Sequence, residues 1–408
     1  MRAVSVVAVI GVMLAGCGSS SQPAAPAAAA SASPATSPVE ATLATLSRTQ
    51  RVHQLLMPSI DSLNPGAARA VIRATRPGGL IIMAPGTARQ WRRVVRAAQD
   101  EASKLGLPPL LIGADQENGT LVQRMRLPVT LPGAMVLGAA VAGDAERGSG
   151  AAAELAEVTG NWLAAGGVNI DFAPVADVNV RPSNPVIGIR SPGAFPDVVA
   201  DAVVGQVQGF DAAGTLSTAK HFPGHGDTAT DSHLGLAKVT HSRAKMNRID
   251  LPPFEAAVKA GIPAIMVAHV TVPAFDSKPA SVSKRIVTGL LRTRMGFDGL
   301  VVTDSLGMGA VAGRPHLAAE VVRAGGDVLL MPNDPNGAAA QVMAAVGTAR
   351  VDDAVRHVLE AKQRLGLLDG EPSYPAPPST KQTRSVARSA AEAGITVLGA
   401  CKVLVSKG

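Results

Sequence analysis

From Leu43 to Leu368 the chain alternates short unbroken apolar runs with longer stretches whose apolar positions recur at helical spacing. The short runs are Leu55–Ile60, Gly79–Met83, Leu110–Gly113, Val168–Ala173, Leu216–Ala219, Ala264–Ala268, Leu300–Thr303 and Val328–Met331. Continuous runs of this length fit parallel strands buried on both faces. The longer stretches, among them Thr87–Leu105, Gly150–Ala165, Phe195–Ala213 and Pro253–Ala260, have the length of crossover helices. Eight strands alternating with helices predict an α/β chain folded as a (β/α)₈, TIM-like barrel, a single catalytic domain over residues 41–370. A doubly wound open sheet competes, but its glycine fingerprint at the first strand–helix turn is missing.

The polar residues that end these runs favour the barrel. Asp115 follows the third, with Gln116 and Glu117 behind it, and Asp177 and Asn179 follow the fourth. Lys220 and His221 follow the fifth, His269 the sixth, and Asp304 and Ser305 the seventh. In a barrel these positions share the C-terminal rim, where active sites are built. Helix caps account for an Asp or a Ser. They do not account for Lys220, His221 or His269.

The ends of the chain read differently. Met1-Arg2 and the apolar run Ala3–Leu14 are too short for a permanent span and fit a secretory signal, residues 1–16. Its last residues, Leu14-Ala15-Gly16-Cys17, resemble a bacterial lipobox, which makes Cys17 the expected lipidation site. Residues 17–40 are rich in Ser, Pro and Ala and suit a flexible tether with a reach of roughly 25 Å. The expected location is therefore the extracytoplasmic face of the cell membrane, with lipid-mediated membrane attachment. Residues 371–408 form a tail: a Pro-rich stretch, an amphipathic segment Thr383–Ala393, and two short strand candidates, Ile395–Leu398 and Val403–Val405. Cys17 and Cys401 are the only cysteines, so no disulfide framework is expected.

Composition narrows the partners. Aromatic residues are 2% of the chain, too few for a surface of stacked bases, and no nucleic acid is expected. The net charge of +7 suits anionic surroundings, or is simply a scattered excess of Lys and Arg. A monomer is expected.

One stretch concentrates chemistry: KHFPGHGDTATDSH, Lys220–His233. His221 and His225 are of ligand type for zinc, but Pro223, Gly224 and Gly226 forbid the helix on which such a pair usually sits. Asp231 and His233 suit acid/base work better. Two apart in an extended loop, they point the same way, and the carboxylate supports a protonated imidazole. Asp304 ends a buried strand and can serve as a nucleophile, or as the cap of a helix starting near Leu306. A nucleophilic Asp opposite a proton donor is the arrangement of a retaining glycosidase.

These residues resemble the family 3 glycoside hydrolases, and within them the bacterial β-N-acetylglucosaminidases of the NagZ type. The likeness runs from Gln54 to Leu367 through LPGAMVLGAA (Leu131–Ala140), VNIDFAPVADVN (Val168–Asn179), IGIRS (Ile187–Ser191), KHFPGHGDTATDSHLGL (Lys220–Leu236), MVAHV (Met266–Val270), GFDGLVVTDSLGM (Gly296–Met308) and AGGDVLLMP (Ala324–Pro332). The motif holding Asp231 and His233 is the most specific, because other branches draw their acid from a Glu in a second domain. The resemblance implies Asp304 as nucleophile, His233 assisted by Asp231 as acid/base, and Asp115, Arg190, Lys220 and His221 as holders of sugar hydroxyls. Arg124 is implied in the same role, although Asp115–Arg124 carries one extra residue and Asn118 stands where the family has Gly. No cofactor and no metal are implied.

The expected activity is removal of terminal β-linked GlcNAc from GlcNAc–MurNAc cell-wall fragments, with retention, in peptidoglycan turnover. A β-glucosidase of the same family, a metal-dependent hydrolase and a non-catalytic muropeptide-binding lipoprotein remain as alternatives.

Overall fold

The computed structural model describes residues 37–370 and 372–395. The expected signal segment, Cys17, most of the tether and the strand candidate Val403–Val405 lie outside the described residues, as does Ile395–Leu398 after its first residue.

Eight strands run parallel round a barrel. They are β1 (Leu56–Met57 and Ser59–Ile60), β2 (Gly79–Ile82), β3 (Leu111–Ala114), β4 (Ile170–Asp171), β5 (Leu216–Phe222), β6 (Ala264–Val267), β7 (Leu300–Thr303) and β8 (Leu329–Leu330). Each pairs with its neighbour in sequence from β1 to β7. Closure falls to β1, which Pro58 interrupts because a proline has no N–H to give. Its first half pairs with β8 (Leu56↔Leu329, Met57↔Leu330) and its second with β2 (Ser59↔Ile81, Ile60↔Ile82). A single bridge, Val302↔Val328, joins β7 to β8. The closed order sets aside the doubly wound alternative.

The interior is packed, not open. Gly79 and Gly113 leave room for side chains from other strands: a Cβ at Gly79 would lie 2.6 Å from Met57 Cε, and one at Gly113 2.9 Å from the Phe172 ring. All eight strands fall within or across the apolar runs of the sequence, and the lengths of two bear on the site. β4 is only Ile170–Asp171, although pairing with β5 resumes beyond Pro174 in the bridge Val175↔Lys220. β5 runs on through Lys220 and His221 to Phe222, since its register with β6 continues to Phe222↔Val267. Those two polar residues therefore sit on the strand itself rather than after it.

Outside the barrel, the helix Pro38–Thr45 buries Val39 and Leu43 against the helix Thr348–Arg364, so the last residues of the stretch expected as tether are helical. The amphipathic tail segment forms the helix Thr380–Ala393, which packs Ala387 and Ala390 with Leu137, Ala152 and Leu155. Trp162 Nε1 donates to Thr383 Oγ1 at 3.0 Å beneath it. No helix among the described residues is long and apolar enough to cross a membrane.

Candidate active site

A cavity of about 630 Å³ opens at the C-terminal ends of the strands, lined in part by Asp115, Arg190, Lys220, His221, His233 and Asp304. Those six come from four strands or the loops that follow them, which is the rim arrangement expected from the sequence.

The floor is a buried ion network. Lys220 Nζ, on a side chain 2% exposed, lies 2.9 Å from Asp115 Oδ1 and 2.7 Å from Glu117 Oε1. Arg190 grips the same Glu117 with both arms, Nε to Oε2 at 2.8 Å and Nη2 to Oε1 at 2.7 Å. Burial alone would raise the Glu117 carboxyl, but Lys220 and Arg190 outweigh it and hold it down at about 2. Burial likewise works against the Lys220 cation, and Asp115 and Glu117 reverse the effect, so it stays protonated. Asp171, fully buried at the end of β4, is held well above the usual carboxylate range by burial. The network thus balances two cations against two carboxylates.

His221 is fixed from behind. Its Nδ1 meets Asp177 Oδ2 at 2.7 Å, which leaves Nε2 toward the cavity and 3.4 Å from Arg190 Nη2. Asp177 Oδ1 accepts from the backbone N–H of His221 and of His225, at 3.2 and 2.6 Å.

Asp304 follows β7 directly. The chain after it runs through turns, and the next helix, Leu317–Ala324, is far along, so the alternative reading of Asp304 as the cap of a helix near Leu306 falls away. Its Oδ1 accepts from the N–H of Ser305, at 2.8 Å. Burial would raise this carboxyl, but His221, His269 and Lys220 outweigh it and keep it ionised. His269, fully buried and shifted below the usual imidazole range by that burial, donates from Nε2 to the carbonyls of Asp304 and Ser305 at 3.2 and 3.1 Å. Ser281 Oγ, 2.7 Å from Nδ1, is its other partner.

Asp231 and His233 do pair, by a different geometry from the one expected. The segment is a turn, not an extended loop: Asp231 Oδ1 accepts from the His233 N–H at 2.9 Å and meets its Nδ1 at 2.7 Å. Burial raises Asp231, but the bonds from His233 together overcome it, so the carboxyl lies below its usual range. The His233 side chain is 59% exposed, the most open of the chemical groups here. The far end of its loop is pinned by a small sheet in which Ala237 and Lys238 pair with Val270 and Thr271.

Arg124 also reaches the cavity. It follows a hairpin of Gln116–Asn118 against Val122–Gln123, with Asn118 at φ +63°, where its amide bonds Thr159. The Asn in place of Gly thus supports a left-handed turn that either residue can take. Glu117, Asp177 and His269 are the partners that the sequence placed on the rim without a role. The signal for Glu117 was one of balance, since two carboxylates stand two residues apart against two cations. The histidine pair does not form a metal set: the His225 nitrogens face Ser232 Oγ at 2.9 Å and Thr228 Oγ1 at 2.7 Å. Among the described residues no three His, Cys, Asp or Glu side chains are grouped to hold an ion.

Residues 48–361 match the model of the glycosyl hydrolase family 3 N-terminal domain. β-Hexosaminidase A of Pseudoalteromonas piscicida is 41% identical over 253 residues, 58% of this chain and only 41% of the relative. The β-hexosaminidase of Alkalilimnicola ehrlichii is 36% identical over 271 residues, 65% of this chain and 77% of that one. A solved family 3 β-N-acetylglucosaminidase from a Paenibacillus species superposes with a TM-score of 0.79 at 37% identity, covering 86% of this chain and 70% of that one.

Proposed function

The chain belongs to glycosyl hydrolase family 3, and from that membership we propose that it is a retaining exo-β-N-acetylglucosaminidase of the NagZ type. One observation carries the reading: an ionised carboxylate and an imidazole backed by its own carboxylate line one cavity floored by fixed charges. Asp304 attacks the anomeric carbon while His233 protonates the departing oxygen, which gives a covalent glycosyl-enzyme. Nδ1 of His233 is taken by Asp231, so Nε2 is the atom that gives the proton. The same imidazole then removes a proton from water, which displaces Asp304 from the sugar. Two inversions restore the β-configuration.

The cations Arg190, Lys220 and Arg124, with His221 Nε2 and Asp115, suit a sugar rich in hydroxyls, because each offers bonds in fixed directions. The names of the relatives support GlcNAc as that sugar. With the signal and lipobox read from the sequence, the substrate is a cell-wall fragment with terminal GlcNAc on MurNAc. On this reading the enzyme is held by lipid on Cys17 at the outer face of the membrane and acts as a monomer in peptidoglycan turnover.

The test compares 4-nitrophenyl β-GlcNAc with 4-nitrophenyl β-glucose, with and without EDTA, for the chain from Gly18 and for Asp304→Ala. Release from the GlcNAc substrate should ignore EDTA and fall by about 10⁴-fold in the variant. Preference for glucose would transfer the same mechanism to a β-glucosidase. Loss to EDTA would favour the metal-dependent hydrolase, and sugar binding without turnover the binding lipoprotein.

A further inference from the structure

The Asp231–His233 turn is exposed, yet the residue between them is not. Ser232 is 2% exposed, and its hydroxyl lies 2.9 Å from Nε2 of His225, which is itself 1% exposed. His225 cannot follow the turn if it moves. Its Nδ1 faces Thr228 Oγ1 at 2.7 Å, and its N–H is bonded to Asp177, the residue that also orients His221. Ser232 is thus a peg from the turn into the ground beneath the sugar site.

The opposite side of the turn rests on the loop that follows Asp304. Gly309 N–H donates to the carbonyl of His233 at 3.0 Å, and Ala310 N–H to that of Ser232 at 3.3 Å. The fit leaves no space: a Cβ at Gly309 would lie 2.9 Å from the carbonyl oxygens of both His233 and Leu234. Real Cβ contacts are not that short, so a side chain there displaces the turn.

We propose that Ser232 is a positioning residue for proton transfer, pegging the Asp231–His233 turn to His225 while Gly309 seats it on the Asp304 loop. The proton donor and the nucleophile are then set relative to each other by one backbone seat and one side-chain peg. The proposal rests on His233 being the acid/base. Neither Ser232 nor Gly309 touches substrate in it; they act through His233.

A role in proton donation has a signature that a general structural role lacks. A 2,4-dinitrophenolate leaves without a proton, whereas 4-methoxyphenolate needs one. kcat/KM reports the step that breaks the glycosidic bond, so the two β-GlcNAc aryl substrates should part company in the variants. Ser232→Ala is expected to lower kcat/KM for the 4-methoxyphenyl substrate about tenfold and leave the dinitrophenyl one within about twofold, the scale of one buried hydrogen bond. Gly309→Ala disturbs the turn from the other side and should give the same selectivity. It carries the comparison if Ser232→Ala does not accumulate as folded protein.

Equal losses on both substrates, or none on either, would overturn the peg while leaving the glycosidase intact. A wild-type chain that cleaves neither substrate would remove the acid/base reading, and the peg with it.

Discussion

Two lysines of this barrel are equally hidden and oppositely treated. Lys220, at the catalytic rim, is 2% exposed and sits between Asp115 and Glu117, which raise its pKa. Lys362, on the helix Thr348–Arg364, is fully buried and among the described residues bonds the amide oxygen of Gln54, at 2.7 Å, just before β1 begins. Burial with no carboxylate brings it down to about 7. The protein thus keeps a charge out of water where substrate must be held and gives a charge up where nothing needs it. The rim carries its electrostatics as preorganised pairs, while the base tolerates an unpaired amine because neutralisation is cheaper than solvating it.

The sharpest way to break this contrast is to spoil the balance at the rim. Glu117→Gln removes the carboxylate that both Lys220 and Arg190 bond, leaving two buried cations with Asp115 as the remaining ion-pair partner of Lys220. We expect about 3–5 kcal/mol of stability to go, with catalysis reduced about 10²-fold or more. The loss should be the same for good and poor leaving groups, because the floor holds sugar and not the departing oxygen. The acid limb gives an independent check. The folded-state carboxyl lies near 2 against 4.5 for the free side chain, a depressed pKa, so its contribution is full above about 4.5 and disappears as pH falls toward 2. That shift is worth about 3 kcal/mol, and chemical denaturation against pH should find that part of the acid sensitivity missing in the variant.

His233→Ala tests the other kind of region, the exposed arm. Here the expected loss is about 10²-fold for 4-methoxyphenyl β-GlcNAc and near zero for the dinitrophenyl substrate in kcat/KM, with unfolding unchanged. A melting temperature that fell with the activity would place His233 with the floor and remove the distinction between the two.

How much of this was readable beforehand follows the same division. The strands were legible because parallel barrel strands are apolar on both faces, and Asp115, Lys220, His221 and Asp304 stood out at their ends. What stayed hidden was which groups share a partner. Nothing in the order Asp115-Gln116-Glu117 tells that the hairpin behind it turns Glu117 onto both Lys220 and Arg190. The polar pair Lys220-His221 looked like the start of a loop, since only the neighbouring strand reveals that the ladder continues past them. Asp231 and His233 were found as a pair, but their turn was not, because two residues' separation fits an extended loop and an Asp-led turn alike. The small helix Pro38–Thr45 was lost in a Ser/Pro/Ala background that reads as tether. Lys362 gave no sign at all, as an amphipathic helix normally shows its lysines to water.

That last residue supplies the smallest effect and the cleanest sign. A lysine whose folded pKa is near 7 binds fewer protons than the unfolded chain between about pH 7 and 10.5. Stability therefore rises with pH across that window and stands at its lowest, for this group, below it. Lys362→Met keeps the volume of the stem and removes the titration, at the cost of the bond to Gln54. The variant should melt higher than wild type at pH 7, by a few degrees, with the gap narrowing as pH approaches 10. The corresponding change at the rim, Lys220→Met, has the opposite expectation at every pH in that range, since it takes the cation from Asp115 and leaves buried Glu117 to Arg190 alone. Should both substitutions destabilise alike at pH 7, Lys362 would be a paired charge after all, and the two ends of the barrel would follow one rule.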